Sequence, residues 1–282
     1  MSSLDGLLGR ALVIVAHPDD ECIAFGALLQ RIEQPTVLYC TDGAPFDPYF
    51  WQERYGTREA YAELRKAEAR RALRSVGVSG VQFLADDARA EGRLVDQELY
   101  RAIPLAYRLL QQKIEALKPN ALLTLAYEGG HPDHDTCNFL TAQLATETGI
   151  AAYEAPLYNR AGWDGDRVNP RGLQRFIRDA GEVIEIAPTN TELQRKRTMC
   201  EQYPSQGDFL QIFDISREVV RRLAPYDYSR PPHEGTLNYE AWRWRMAGRD
   251  VCAAFAEFMQ TGADGAAEAV RATSTASEDS NM

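Results

Sequence analysis

Residues 11–21 read Ala-Leu-Val-Ile-Val-Ala-His-Pro-Asp-Asp-Glu, an unbroken apolar run that stops abruptly in a cluster of charge. A short apolar run closed by a turn is the pattern of a strand buried on both faces, and such strands belong to parallel sheets. The same pattern returns at Thr36–Thr41 (TVLYCT), Val81–Leu84 and Ala121–Ala126 (ALLTLA). Between these runs lie helical patterns at about Asp20–Ile32, Thr57–Ser75 and Leu99–Leu117; the second carries Ala60, Tyr61, Leu64 and Ala67 on one stripe. Ala44–Gly56 reads as a polar, aromatic loop. The alternation predicts an α/β fold, Rossmann-like, with a mostly parallel sheet and helices on both faces.

The second half is less regular. Ala151–Leu157 and Val183–Ala187 read as strands, Glu192–Glu201 as a helix, Tyr203–Tyr239 as irregular, and Tyr239–Met259 as one amphipathic helix. No stretch has the composition of a linker, so residues 1–260 are expected to form a single domain with a C-terminal elaboration. From residue 261 the sequence collapses to Ala, Ser, Thr, Glu and Gly, which predicts a disordered tail over 261–282.

Bulk properties narrow the function. The 282 residues carry 31 basic and 41 acidic side chains, a net charge of -10. An acidic surface repels phosphate backbones, so nucleic acid is not expected as a partner. No apolar run is long enough to insert in a membrane, and the first ten residues lack the pattern of a signal peptide. Five scattered cysteines without a Cys-x-x-Cys pair fit reduced thiols and a cytoplasmic location. Self-association is left open.

Three of the chain's four histidines fall in two short motifs, His17-Pro18-Asp19-Asp20-Glu21 after the first strand and His131-Pro132-Asp133-His134-Asp135 after the fourth. Both sit at the carboxyl ends of strands, where open α/β sheets place their ligands. A catalytic zinc takes about three protein ligands and keeps a position for water. His17, Asp20 and His134 offer two imidazoles and a carboxylate, a set suited to zinc and tolerable to Fe2+ or Co2+. Such an ion lowers the pKa of bound water from about 16 towards 7. Asp19 then stands as general base, and His131, when protonated and oriented by Asp133, as oxyanion stabiliser and acid for the leaving amine. Taken singly, each motif also reads as a turn, and Asp19 or Asp20 as a helix cap.

These motifs resemble the zinc-dependent N-acetylglucosamine deacetylases of the LmbE-like, or PIG-L, type, which pair His-Pro-Asp-Asp-Glu with His-Pro-Asp-His. Weaker points of resemblance are Thr41-Asp42-Gly43, Arg65-x-x-Glu68 followed by Gly77, and Tyr203-x-Ser205-Gln206. The resemblance implies zinc on His17, Asp20 and His134, Asp19 as base, His131 held by Asp133, and removal of an N-acetyl group from an amino sugar or small sugar conjugate. It further suggests Arg65 as a substrate contact, although a solvated helix face paired with Glu68 reads equally well. Some members carry a tyrosine shortly before the second motif; here Tyr127-Glu128-Gly129-Gly130 displaces it, which puts Glu128 forward as a substrate contact. His233, in a Pro-rich loop, is a further candidate, and Tyr49, Phe50 and Trp51 either stack on a sugar or pack their loop. Alternatives are an amidohydrolase acting on a non-sugar N-acyl substrate, a nucleotide-binding module, which lacks its Gly-x-Gly-x-x-Gly after the first strand, and a non-catalytic binding protein, which would be expected to have lost Asp19 or a ligand.

Overall fold

A computed structural model describes residues 6–165 and 167–262. Its centre is a seven-stranded sheet of β1 (Arg10–Val15), β2 (Gln34–Tyr39), β3 (Gly80–Phe83), β4 (Ala121–Leu125), β5 (Ala151–Ala155), β6 (Val183–Ile186) and β7 (Glu218–Arg222), in the order β3-β2-β1-β4-β5-β7-β6. The first five strands are parallel, and β7 runs antiparallel to both β5 and β6. Alternation along each strand sends side chains to opposite faces. Val13 and Val15 pack with Ala69, Leu73 and Met199 on one face, under helices 58–75 and 190–200. Leu12 and Ile14 pack with Leu110, Leu140 and Phe255 on the other, under helices 103–117, 132–148 and 248–262. The expected Rossmann-like layering is therefore present.

The chain leaves β1 towards β2 and β3, then returns to lay β4 on the other side of β1. That reversal opens a crevice at the strand ends. Both histidine motifs leave the sheet there, because β1 and β4 are hydrogen-bonded neighbours.

Four expectations are corrected. The helix expected over 20–32 is only Asp20–Ala24, followed by a 3-10 turn at Leu28–Gln30. The break has a distant cause: the buried carboxylate of Glu218 accepts the backbone N–H groups of Ala27 and Leu28, and is itself paired with buried Lys196 at 2.6 Å. The loop 44–56 contains a 3-10 turn at Pro48–Phe50 and a short helix at Gln52–Tyr55. The stretch 203–239 holds β7, which its charged sequence concealed. The helix expected over 239–259 is interrupted: it is helical at Asn238–Ala241 and again from 248 to 262, with Arg243 between them in the left-handed region at φ 59°. Of the expected tail, 261 and 262 are helical and 263–282 lie outside the described residues. No helix among the described residues is long and apolar enough to cross a membrane.

Candidate active site

The turn after β1 is built around Asp20. Its Oδ2 accepts the N–H groups of Ala16 and His17 at 3.1 and 2.8 Å, folding the carboxylate back onto the strand end. The other oxygen, Oδ1, lies 3.0 Å from His134 Nε2, while Oδ2 is 3.6 Å from His17 Nδ1. Asp19 occupies the position before the helix but does not cap it. Its backbone is at φ 135°, strained for any residue with a Cβ. The buried Glu21 carboxylate accepts the Asp19 N–H at 3.2 Å and is held in turn by the hydroxyl of buried Tyr203.

The turn after β4 depends on two glycines. Gly129 is at φ 68°, and a Cβ on Gly130 would fall 2.2 Å from the Tyr158 carbonyl oxygen. Asp135 Oδ1 ties the turn by accepting the N–H groups of Glu128 and Gly129, both at 3.0 Å. His131 begins helix 132–148, its Nδ1 accepting the Asp133 N–H at 3.1 Å. The proton of the neutral ring is therefore on Nε2, which faces Asp96 Oδ1 at 3.3 Å.

The two turns bring His17, His131 and His134 together, with ring nitrogens within 4.8 Å of one another. Donor atoms of His17, Asp96, His131 and Asp133 meet the same limit. Two overlapping ligand sets thus share His17 and His131, while Asp20 joins His17 to His134 at the edge of the first.

Arg65 is buried, not on a solvated face. It donates to the carbonyls of Gly43 and Pro18, both at 2.7 Å, and lies 3.2 Å from Asp19 Oδ1 and 3.6 Å from Asp96 Oδ2. Its proposed partner Glu68 instead accepts the Ser205 N–H and hydroxyl.

Asp133 also differs from expectation. Its carboxylate accepts the N–H groups of Gln97 and Leu99 and lies 3.1 Å from His17 Nε2, but 3.9 Å from His131 Nδ1. The side chain therefore orients His17, and only its backbone orients His131.

Burial and charge set the protonation tendencies. Burial pushes Asp19 up to about 8, against the pull of Arg65. Burial resists ionisation of Asp20 too, but His134 and His17 hold it well below the usual carboxylate range. Burial, aided by His17, lowers His131 to about 4. His17 is raised in spite of burial, because Asp96, Asp133 and Asp20 surround it.

The residues present fit a divalent cation. Four buried carboxyl groups, Asp19, Asp20, Asp96 and Asp133, lie in this cluster, and the buried Arg65 guanidinium reaches Asp19 and Asp96, so a cation would offset the excess of acidic groups. The buried Nδ1 of His134 finds no hydrogen-bond partner among the described residues. Imidazole and carboxylate are the donors that zinc, iron and cobalt accept.

A cavity of about 760 Å³ opens over this cluster, lined by His17, Asp19, Asp20, His131, His134, Arg65 and Asp96, and walled by aromatic side chains. Two expected contacts do not line it. The Glu128 carboxylate accepts the N–H groups of Leu157 and Tyr158 at 2.7 and 2.9 Å, so it fastens β5's end rather than meeting a substrate. His233 turns its Nδ1 to the Glu234 carbonyl and its Nε2 towards Gly129. In the loop after β2, Tyr49 and Phe50 line the cavity, whereas Trp51 donates to the Pro45 carbonyl and packs its own loop. Asp96, Trp242 and Trp244 were not anticipated. The only trace of Asp96 is an acid set behind the apolar pair Leu94-Val95, and the Trp-Arg-Trp-Arg run at 242–245 lay inside the expected helix.

Residues 12–145 match the model of the PIG-L family, described as GlcNAc-PI de-N-acetylase. The chain is 27% identical over 164 residues to the 1D-myo-inositol 2-acetamido-2-deoxy-alpha-D-glucopyranoside deacetylase of Mycobacterium leprae (strain Br4923), covering 51% of this chain and 52% of that protein. It is 29% identical over 161 residues to the deacetylase of the same name from Corynebacterium glutamicum (strain R), covering 50% and 54%. The chain thus spans about half the length of these curated relatives. Among solved structures, the A40926 pseudoaglycone deacetylase Dbv21 aligns with a TM-score of 0.55 at 22% identity, over 72% of this chain and 84% of that one. A deacetylase of the teicoplanin biosynthesis pathway aligns with a TM-score of 0.56 at 17% identity, over 76% and 98%. At these identities the structures speak for the fold. The segment that carries both histidine motifs, Arg65 and Asp96 accordingly lies within the match to the PIG-L family, residues 12–145.

Proposed function

We propose that the protein is a metal-dependent hydrolase that removes the acetyl group from an N-acetylated amino sugar or sugar conjugate. The observation that carries this reading is the meeting of His17, Asp20, His131 and His134 at the β1–β4 crevice with buried Asp19 beside them. The names of the curated relatives support the acetamido substrate, and five free cysteines, four of them buried, support a cytoplasmic setting.

His17, Asp20 and His134 would hold the cation, with Asp96 the alternative carboxylate. When bound, the cation supplies Lewis acidity and water of lowered pKa. Asp19, fixed by Arg65, takes the proton of the attacking water as the new C–O bond forms at the acetyl carbon. His131 presents its Nε2–H to the developing oxyanion, and the proton that Asp19 took from the water passes to the nitrogen as the C–N bond breaks. The products are acetate and a free amine. Burial of every participant excludes bulk water and strengthens these interactions.

The test is acetate release from a panel of N-acetylated sugars and non-sugar N-acyl amines, with protein stripped by chelator and reloaded with Zn2+, Fe2+ or Co2+. Release from a sugar substrate, lost on stripping and restored by metal, is expected. Release from the non-sugar amines alone would replace the sugar in this reading, and none with any metal would overturn it.

A further inference from the structure

We propose that Cys22 and Cys200 form a paired thiol site that hydrogen peroxide closes to a disulfide, slowing the reaction at the histidine cluster. The site stands on its own residues; only its effect on turnover rests on the deacylation reading.

A ladder of contacts between helix 20–24 and helix 190–200 places the pair. Lys196 Nζ donates to the Ile23 carbonyl at 3.0 Å. One helical turn beyond Lys196, the Cys200 thiol meets that of Cys22, and both pack in the same core layer. Three residues further on, the Tyr203 hydroxyl donates to the Glu21 carboxylate. Positions 196, 200 and 203 thus face 23, 22 and 21 in order, and buried hydrogen bonds on either side hold the thiols together.

The two thiols differ in access. Cys22 is wholly buried, whereas Cys200, the last residue of its helix, is partly exposed. Peroxide therefore reaches Cys200 first. The hydrogen bond from Cys22 lowers the Cys200 thiol from its ordinary value, against burial and with help from the Lys196 ammonium. The thiolate is the form that attacks. An accessible thiol with a second, resolving thiol behind it is the arrangement that oxidation turns into a disulfide. Cys40 and Cys137 also adjoin each other, but both are wholly buried in the opposite core layer. They lack the exposed member.

The chemistry balances. The Cys200 sulfur attacks one peroxide oxygen, the O–O bond breaks, and hydroxide leaves with the thiol proton as water. The Cys22 sulfur then attacks the sulfenic acid at sulfur. The S–O bond breaks, and hydroxide leaves with the Cys22 proton as a second water. The thiols together give up two electrons, and hydrogen peroxide is reduced.

Position supplies the consequence. A disulfide holds its sulfurs at about 2 Å, inside the contact distance of two thiols. Closure therefore draws helix 20–24 towards helix 190–200. Cys22 is two residues from Asp20 and adjoins Glu21, whose carboxylate fixes the Asp19 N–H. Misplacing such groups by about 1 Å costs up to about a hundredfold in rate.

The experiment treats the zinc-loaded protein with hydrogen peroxide, alkylates the remaining thiols and maps linkages by peptide mass spectrometry. A Cys22–Cys200 linkage that dithiothreitol reverses is expected, with Cys40 and Cys137 still reduced. Acetate release should fall at least about tenfold on oxidation and return with the reductant. Cys200→Ser should keep the untreated rate and lose the response. The peptide map needs no variant, so the test survives if Cys200→Ser fails to fold. Unlinked Cys22 and Cys200 after peroxide would overturn the proposal, as would a linkage that leaves turnover unchanged or an equal loss in Cys200→Ser. A linkage in a protein that releases no acetate from any substrate sinks the deacylation reading and keeps the thiol site. Deacylation without the linkage does the reverse.

Discussion

Residues 12–145 and residues 203–247 meet in one cavity but are built by different means. In the first segment the reactive groups His17, Asp19, Asp20, His131 and His134 sit two to nine residues beyond a strand end. There the hydrogen-bonded register of β1 and β4 fixes their spacing. In the second, Gln206, Phe209, Trp242 and Trp244 reach the same cavity from turns and one- or two-turn helices. Ligand and proton-transfer geometry tolerates errors of only a fraction of an ångström, and strand ends supply that rigidity. An aromatic wall tolerates more, so it can be hung on irregular chain. The difference predicts that substitutions of the strand-end groups act on turnover and those of the cavity's aromatic wall on substrate preference.

The largest effect expected is from His134→Ala, which should lower bound metal below one equivalent and abolish turnover. Elemental analysis checks it, and stoichiometric zinc in the variant would remove His134 from the ligand set. Asp96→Ala sharpens the same point. Metal retained there supports His17, Asp20 and His134 as ligands, whereas metal lost favours the set built on Asp96 and Asp133. Next is Asp19→Ala, expected to keep the metal but lose about 10²–10⁴ in kcat, the usual range for a positioned base.

Tyr203→Phe is the variant most able to blur the comparison, since Tyr203 lies in the second half but holds Glu21, which holds Asp19. A fall of about tenfold in kcat with KM little changed is expected. The cause is a buried carboxylate left short of a donor, at about 1–3 kcal/mol. If KM moved instead, the second segment would act on recognition alone. The smallest effect is assigned to His233→Ala, which should leave kcat/KM within about twofold. A larger loss would return that loop to the site.

What could be read from the sequence follows the same division. β1, β2 and β4 are legible because a strand covered on both faces has only apolar choices, and the reversal at β1 then places both motifs together. The histidines stand out because they are few and fall at those strand ends. β7 is hidden because Glu218 and Arg221 are buried in it, each satisfied by a partner far along the chain, Lys196 and Glu154. The early end of helix 20–24 has the same distant origin, since Glu218 captures the N–H groups that would have continued it. Asp96 leaves only the trace of an acid behind Leu94-Val95, and the tryptophans of 242–245 read as part of a helix. Their roles arise only from what lies across the cavity. Glu128 was misplaced for a related reason: a carboxylate next to a reactive motif looks reactive, but its backbone partners at 157 and 158 are invisible in one dimension.

The strained backbone at Asp19 has a consequence for how this protein can vary. A residue at φ 135°, buried among other carboxylates, is a poor choice for the folded state. Glycine would relax the main chain and remove a charge. Position 19 is therefore a place where a screen for heat resistance and a screen for catalysis should return opposite answers. A more heat-tolerant Asp19→Gly protein that makes no acetate would be the signature of a fold kept below its own optimum by the reaction it serves.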